Sequence, residues 1–256
     1  MTRDQLQQAF NTSGKVLLPV IHVLDTEQAE RNTRIAIEGG AHGVFLINHD
    51  FPPEPFLPII RHVRRKFSEF WLGVNFLGVT GLDAFPLLGK LEREDCPVNA
   101  YWADNARIDE NQNLDDQPEA RKISEVREKC GWNGLYFGGT AFKKQREVAP
   151  DKYETSARIA SQWMDVVTTS GVATGFAPDL SKISNMRAGC GDTALALASG
   201  VTSDNAPHYF KDVDCFLVAT GINISGDFYN LDPKKMALLL SMTNTPHLFQ
   251  PFSKSR

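Results

Sequence analysis

Residues 195–221 read LALASGVTSDNAPHYFKDVDCFLVATG. Two apolar runs, LALA and CFLVA, each stop at a small polar residue followed by glycine, Ser199-Gly200 and Thr220-Gly221. Between them there is room for one short helix, opening after Thr202-Ser203. Apolar runs without alternation are what strands covered on both faces look like, and a helix joining two of them makes a parallel βα unit.

The same unit recurs upstream. KVLLPVIH, HGVFLIN, FWLGVNF, VNAYWAD, NGLYFGG and MDVVTTS read as six further strands, ending in His22, Asn48, Asn75, Asp104, Gly138 and Thr169. Helix punctuation lies between them. Asp25 is placed to cap TEQAERNTRIAIEGG, with Gln28 at the capping-box position and Gly39-Gly40 as the stop. PEARKISEVREKCG opens on Pro118 and closes on Gly131, and Asp232-Pro233 opens a last helix that buries Met236, Leu239 and Leu240. Eight βα units in a chain of 256 residues fit a single α/β domain over 1–256, a closed (β/α)8 TIM barrel. The competitor is an open doubly wound sheet, but the first turn, IHVLDTEQ, lacks its Gly-rich fingerprint. The Gly-Cys-Gly at 189–191 precedes a strand and reads as a tight turn on the opposite face.

A net charge of −4 argues against nucleic acid as a partner, because phosphate-backbone binding needs a concentrated basic face. The one basic run, RHVRRK at 61–66, falls on a helix and reads as a solvated outer face. No apolar run reaches the length of a membrane span. MTRDQLQQAF is too polar for a signal peptide, and Cys96, Cys130, Cys190 and Cys215 show no metal-ligand spacing. The expectation is a cytoplasmic protein with packing cysteines, no metal centre, and a possible homo-oligomeric state.

In a barrel the C-terminal strand ends face the active-site mouth. Ser199, Gly200, Thr220 and Gly221 close strands seven and eight, where barrels most often hold phosphate. Glycine permits close backbone approach to an anion, the hydroxyls donate, and a following helix N-terminus favours negative charge. TTSGVATG at 168–175 adds Thr169 and Gly171 beside them. Lys143, Lys144 and Arg146, after strand five, have the charge to meet a second phosphate or a pyrophosphate. Opposite, Asp104 follows two aromatic residues and suits a base or a Mg²⁺ ligand. His22 suits an acid/base, or a core histidine bonded to a carbonyl. Asn48 and Asn75 are candidates to orient substrate hydroxyls, and Asn48-His49-Asp50 allows either an ion site or an ordinary turn. No nucleophile elbow, P-loop or zinc signature occurs.

The segments VIHVLDTEQAERNTRIAIEGGAHGVFLIN and LASGVTSDNAPHYFKDVDCFLVATGINISGDFYNLDPKKM resemble the BtpA family of TIM-barrel proteins. An S-G-V-T-x-x-N signature matches Ser199, Gly200, Val201, Thr202 and Asn205. A D-G/F-x-N-x-D-P signature matches Asp227, Phe228, Asn230, Asp232 and Pro233. The similarity covers most of the chain and is strongest from strand six onward. The chain departs from the family after strand one, where VLDTEQ replaces prolines and a glycine. It departs again after strand eight, where Ala219-Thr220-Gly221-Ile222-Asn223 lacks the lysine of G-T-S-L-K. The resemblance implies a barrel and a phosphorylated ligand. Together with a weaker likeness to barrel phosphoribosyltransferases, it leads to the expectation of a transferase acting on a sugar or ribosyl phosphate, with Mg²⁺ as a possible cofactor. The alternatives are a sugar-phosphate isomerase or aldolase, in which the Lys143/Lys144 pair would allow a Schiff base, and a non-catalytic assembly factor.

Overall fold

The computed structural model describes residues 1–143 and 145–243. Its helices and strands alternate except between β7 and β8: α1 (Arg3–Ala9), β1 (Val16–His22), α2 (Thr26–Glu38), β2 (Val44–Ile47), α3 (Pro53–Lys66), β3 (Leu72–Asn75), α4 (Gly81–Arg93), β4 (Ala100–Ala103), α5 (Pro118–Cys130), β5 (Leu135–Gly139), α6 (Tyr153–Ala160), β6 (Val166–Ser170), α7 (Leu180–Cys190), β7 (Leu195–Ala198), β8 (Cys215–Val218) and α8 (Pro233–Thr243). All eight strands pair in parallel, each with the next, and β8 pairs with β1 to close the barrel. The closing register sets Val16 beside Cys215 and Pro19 beside Val218.

Each apolar run divides by the period of two that strands impose. From β1, Val16, Leu18 and Val20 enter the barrel interior, while Leu17 and Ile21 join the layer between strands and helices. Phe45, Trp102 and Phe137 fill the interior against small Ala100, Ala196 and Ala198. Phe45 packs edge-on to the other two rings at 5.8 and 5.3 Å between centroids, a favoured aromatic geometry. The bottom is plugged by Leu6 of α1, which is fully buried. That helix starts with a capping box in which Gln5 N donates to Thr2 Oγ1 at 3.2 Å and Thr2 N to Gln5 Oε1 at 2.8 Å. Sequence reading had no place for it, because its single inward residue leaves no periodic stripe.

Three expectations change. Asp25 caps α2, accepting from Gln28 N at 2.8 Å, but Gln28 does not complete a box. Its buried amide donates instead to the carbonyls of His22 (3.0 Å) and Tyr229 (2.7 Å). Within RHVRRK, Arg64 is buried and donates to the carbonyls of Pro97, Ser68 and Phe70 and to Asn99 Oδ1 at 2.6–2.9 Å. The run is therefore not wholly a solvated face; one guanidinium fork saturates carbonyls that would otherwise lie unpaired beneath α3. The short helix expected after Thr202-Ser203 is a single 3-10 turn, Ala206–Tyr209.

The cysteines carry no disulfide; Cys96, Cys190 and Cys215 are buried and Cys130 partly so. Gly191 ends α7 with a φ of 55° just before β7, as the turn reading required. No helix among the described residues is long and apolar enough to cross a membrane.

Candidate functional site

At the C-terminal mouth of the barrel a pocket is lined by His22, His49, Leu77, Trp102, Asp104, Lys143, Thr174, Ser199 and Thr220 over a floor of Val20, Ile47 and Leu217. It is narrow, about 40 Å³, enough for one or two waters. A wider cleft of about 300 Å³ shares Leu77, Asp104 and Lys143 with it and continues outward past Gly78, Thr80, Asn105 and Arg107.

His22 ends β1 under the β8–α8 loop. Its ring stacks on Phe228 at 3.8 Å and its Nδ1 lies 3.1 Å from the Phe228 carbonyl. Because a carbonyl only accepts, Nδ1 carries the proton and Nε2 is left as the acceptor. Burial lowers the pKa to about 4, against the opposing pull of the Phe228 carbonyl, with His49 and Lys143 adding to the depression. At neutral pH this imidazole is uncharged, with Nδ1 donating to Phe228 and Nε2 offered as an acceptor.

Phe228 is held there by a strap. Asp227 Oδ1 accepts from the amides of Tyr229 (2.7 Å) and Asn230 (3.0 Å), and Asn223 Nδ2 donates to the Phe228 carbonyl at 2.8 Å. From α2, Gln28 and Asn32 both donate to the Tyr229 carbonyl. Tyr229 in turn donates its hydroxyl to Asp50 at 2.8 Å, which lowers the Asp50 pKa. The D-F-x-N-x-D-P pattern thus builds a loop over the mouth.

Asp104 lines both the pocket and the cleft. Asn75 Nδ2 donates to its Oδ1 at 3.0 Å, and Asn75 Oδ1 is buried without a hydrogen-bond partner. Asn75 therefore orients the carboxylate and does not itself line the pocket. Asn48 departs further from expectation: it donates to Phe51 O at 2.7 Å and accepts from Leu77 N at 2.9 Å. Both ends of its amide are engaged by backbone, so it holds two loops together, and it lines neither the pocket nor the cleft.

The expected anion grip is rearranged. Ser199 has a φ of 70° and a buried hydroxyl with no partner, and Thr220 lines the same pocket. The two glycines admit protein backbone. A Cβ on Gly200 would lie 2.1 Å from Ala177 N, and one on Gly221 would lie 1.9 Å from Val201 O. Gly171 is likewise closed upon by Phe176 O, at 1.9 Å from its would-be Cβ. Asn205, the last residue of S-G-V-T-x-x-N, donates to Gly200 O at 2.7 Å and accepts from Thr202 N at 2.9 Å. The motif closes its own loop. Thr169 is buried and donates to Ala141 O at 3.2 Å.

Lys143 does reach the mouth. Its backbone N–H donates to Ser170 Oγ at 2.8 Å and its Nζ to Thr174 Oγ1 at 3.0 Å. Arg146 does not join it in an open clamp, since both its terminal nitrogens donate to Glu110 at 2.6 Å. That bidentate pair holds the Glu110 carboxyl below its usual range. Lys144 lies outside the described residues. His49 pairs with Asp50 at 3.3 Å, and no group of three or more His, Cys, Asp or Glu among the described residues is placed to hold a metal ion.

Sequence reasoning missed Thr174, Trp102, Arg107 and Phe228 as site residues. Trp102 Nε1 is buried without a partner in the pocket wall. Arg107 has a φ of 59°, uncommon for a residue with a Cβ, and that was invisible in YWADNAR. Thr174 was within reach, in a stretch noted only for its hydroxyls.

No family model and no curated protein matches the chain. Solved structures do. The tryptophan synthase alpha chain from Legionella pneumophila is 13% identical with a TM-score of 0.66, covering 97% of this chain and 100% of its own. Phosphoribosylanthranilate isomerase from Thermotoga maritima is 14% identical with a TM-score of 0.58, covering 88% and 97%. At such identities the likeness establishes the (β/α)8 barrel and nothing finer.

Proposed function

We propose that this barrel is an enzyme that moves a proton on a small phosphorylated molecule, as an isomerase or lyase of a sugar phosphate does. The observation that carries the reading is the ring of groups around one pocket. Lys143, Thr174, Ser199 and Thr220 line it together with His22 and Asp104. A cation with three hydroxyls suits a phosphate. A carboxylate oriented by an amide suits a base. The unpartnered donors Trp102 Nε1 and Ser199 Oγ have a reason to exist if a ligand oxygen meets them. The body of the substrate extends into the cleft beside Arg107, and remote phosphate binding positions the reacting carbon at Asp104. Since the mouth is narrow, the loops bearing Thr174 and Phe228 part when substrate enters.

Phosphoribosyl transfer, the first expectation, rested on a pyrophosphate clamp from Lys143, Lys144 and Arg146. With Arg146 committed to Glu110, its distinguishing support is weaker than that for proton transfer. The barrel neighbours include an isomerase, and the BtpA resemblance favours a phosphorylated ligand without choosing a reaction. The two are separated by incubating the protein with a panel of sugar phosphates in D2O. Proton transfer incorporates deuterium at carbon, and Asp104→Asn abolishes it. Phosphoribosyl transfer instead releases pyrophosphate from phosphoribosyl pyrophosphate with Mg²⁺, and no deuterium enters.

A second reading has its own observation. Val172, Phe176 and Leu180 are 84%, 64% and 51% exposed in and just after the β6–α7 loop, which suits a partner-binding role. That reading requires Asp104→Asn to retain full biological activity.

A further inference from the structure

Behind the rim, between the β5–α6 and β6–α7 loops, a second pocket of about 340 Å³ is lined by Lys143, Gln145, Arg146, Glu147, Tyr153 and Lys182, among others. Lys182 reaches it from the first turn of α7. Its Nζ donates to Ala141 O at 2.6 Å and to Ser170 O at 2.7 Å, with the Tyr153 ring centroid 5.2 Å away. A neutral amine has two N–H bonds and one lone pair. Two carbonyls take both protons, so tetrahedral geometry turns the lone pair away from them. Gln145 Nε2, on the same pocket wall, is buried with no partner, and a ligand oxygen would satisfy it.

We propose that Lys182 is an imine-forming amine for a small aldehyde carrying an acidic group, which the cation Lys143 on the same pocket attracts. The amine nitrogen attacks the carbonyl carbon and its proton passes to the carbonyl oxygen. The resulting carbinolamine loses water, leaving a C=N bond to Nζ. Burial supports this by lowering the Lys182 pKa from 10.5 to about 8, against the charge of Asp179. The other charged groups on the pocket are Lys143, Arg146 and Glu147, all from the β5–α6 loop. Apart from Lys143, which lines both pockets, the inference uses no residue of the mouth.

The test is reductive labelling of the whole protein with glyoxylate and cyanoborohydride, followed by peptide mapping. The pKa difference alone raises the neutral amine fraction at pH 7.5 on the order of 10²-fold. Allowing for restricted access, Lys182 should label about tenfold faster than exposed lysines such as Lys122 or Lys211, with the excess shrinking above pH 8 as the exposed lysines go on deprotonating. Acetaldehyde, which has no acidic group, should show a smaller excess. Lys182→Arg keeps donors for both carbonyls and should lose the fast label while melting normally. Labelling of Lys182 no faster than the exposed lysines, or a fast label that persists in Lys182→Arg, overturns the proposal.

Discussion

His22 shows how burial and one carbonyl decide what a side chain can do. The unfolded chain binds its imidazole proton below the ordinary value of 6.5, whereas the folded protein resists it down to about 4. Between those values the unfolded state holds more protons, so stability falls as pH falls through that window. The loss approaches about 3 kcal/mol by pH 4. Urea unfolding from pH 7 to pH 4.5 should show this extra slope in the native protein and not in His22→Gln. Equal slopes would mean that His22 is not desolvated. Asn75 acts through Asp104, its donor contact being 3.0 Å. Asn75→Ala should slow deuterium incorporation roughly tenfold or more while leaving phosphate-ligand affinity within about twofold. A matched loss of affinity would instead place Asn75 against the ligand.

At the scale of elements, Asp214 ties the bottom of the barrel together. It precedes β8 and is only 6% exposed; it pairs with Arg3 at the start of α1 and Arg187 of α7, both at 2.8 Å, and accepts from Leu195 N at 3.0 Å. Removing one member of such a buried set leaves the others uncompensated, so Asp214→Ala should cost about 3–5 kcal/mol in chemical denaturation. A cost below about 1 kcal/mol would show that solvent replaces it. Gly200 illustrates the other use of a strand end. Its φ is +69° and the Phe176–Ala177 backbone lies against it, so Gly200→Val should displace the β6–α7 loop and lower the melting temperature with or without ligand. A change confined to ligand affinity would restore Gly200 to the anion grip.

The whole barrel was legible because its signal repeats: eight buried runs, each followed by helix punctuation, survive errors of a residue or two at any boundary. The site was legible only in part. His22, Asp104, Ser199 and Thr220 follow from the rule that strand ends face the mouth, and Lys143 from charge beside a strand end. Glycine corners at 171, 200 and 221 looked the same whether they admit a phosphate or a neighbouring loop, and sequence spacing carries no information about which arrives. Asn48 and Arg146 were read as facing a ligand because their backbone and acidic partners, Phe51, Leu77 and Glu110, become neighbours only on folding. The loop from Asp227 to Asn230 was visible as a motif, but not as a cover on a histidine some 200 residues earlier.

In the proposed function the mouth binds a phosphorylated small molecule through Lys143. The direct measurement is thermal unfolding against a panel of sugar and ribosyl phosphates, with native protein and Lys143→Met in parallel. A ligand present at about 100 times its dissociation constant adds about 2.7 kcal/mol, a rise of a few degrees for a domain of this size. The expected result is such a rise with at least one phosphate ester, lost in Lys143→Met and absent for the unphosphorylated sugar. A native protein that no phosphate ester stabilises, or an undiminished shift in Lys143→Met, contradicts it.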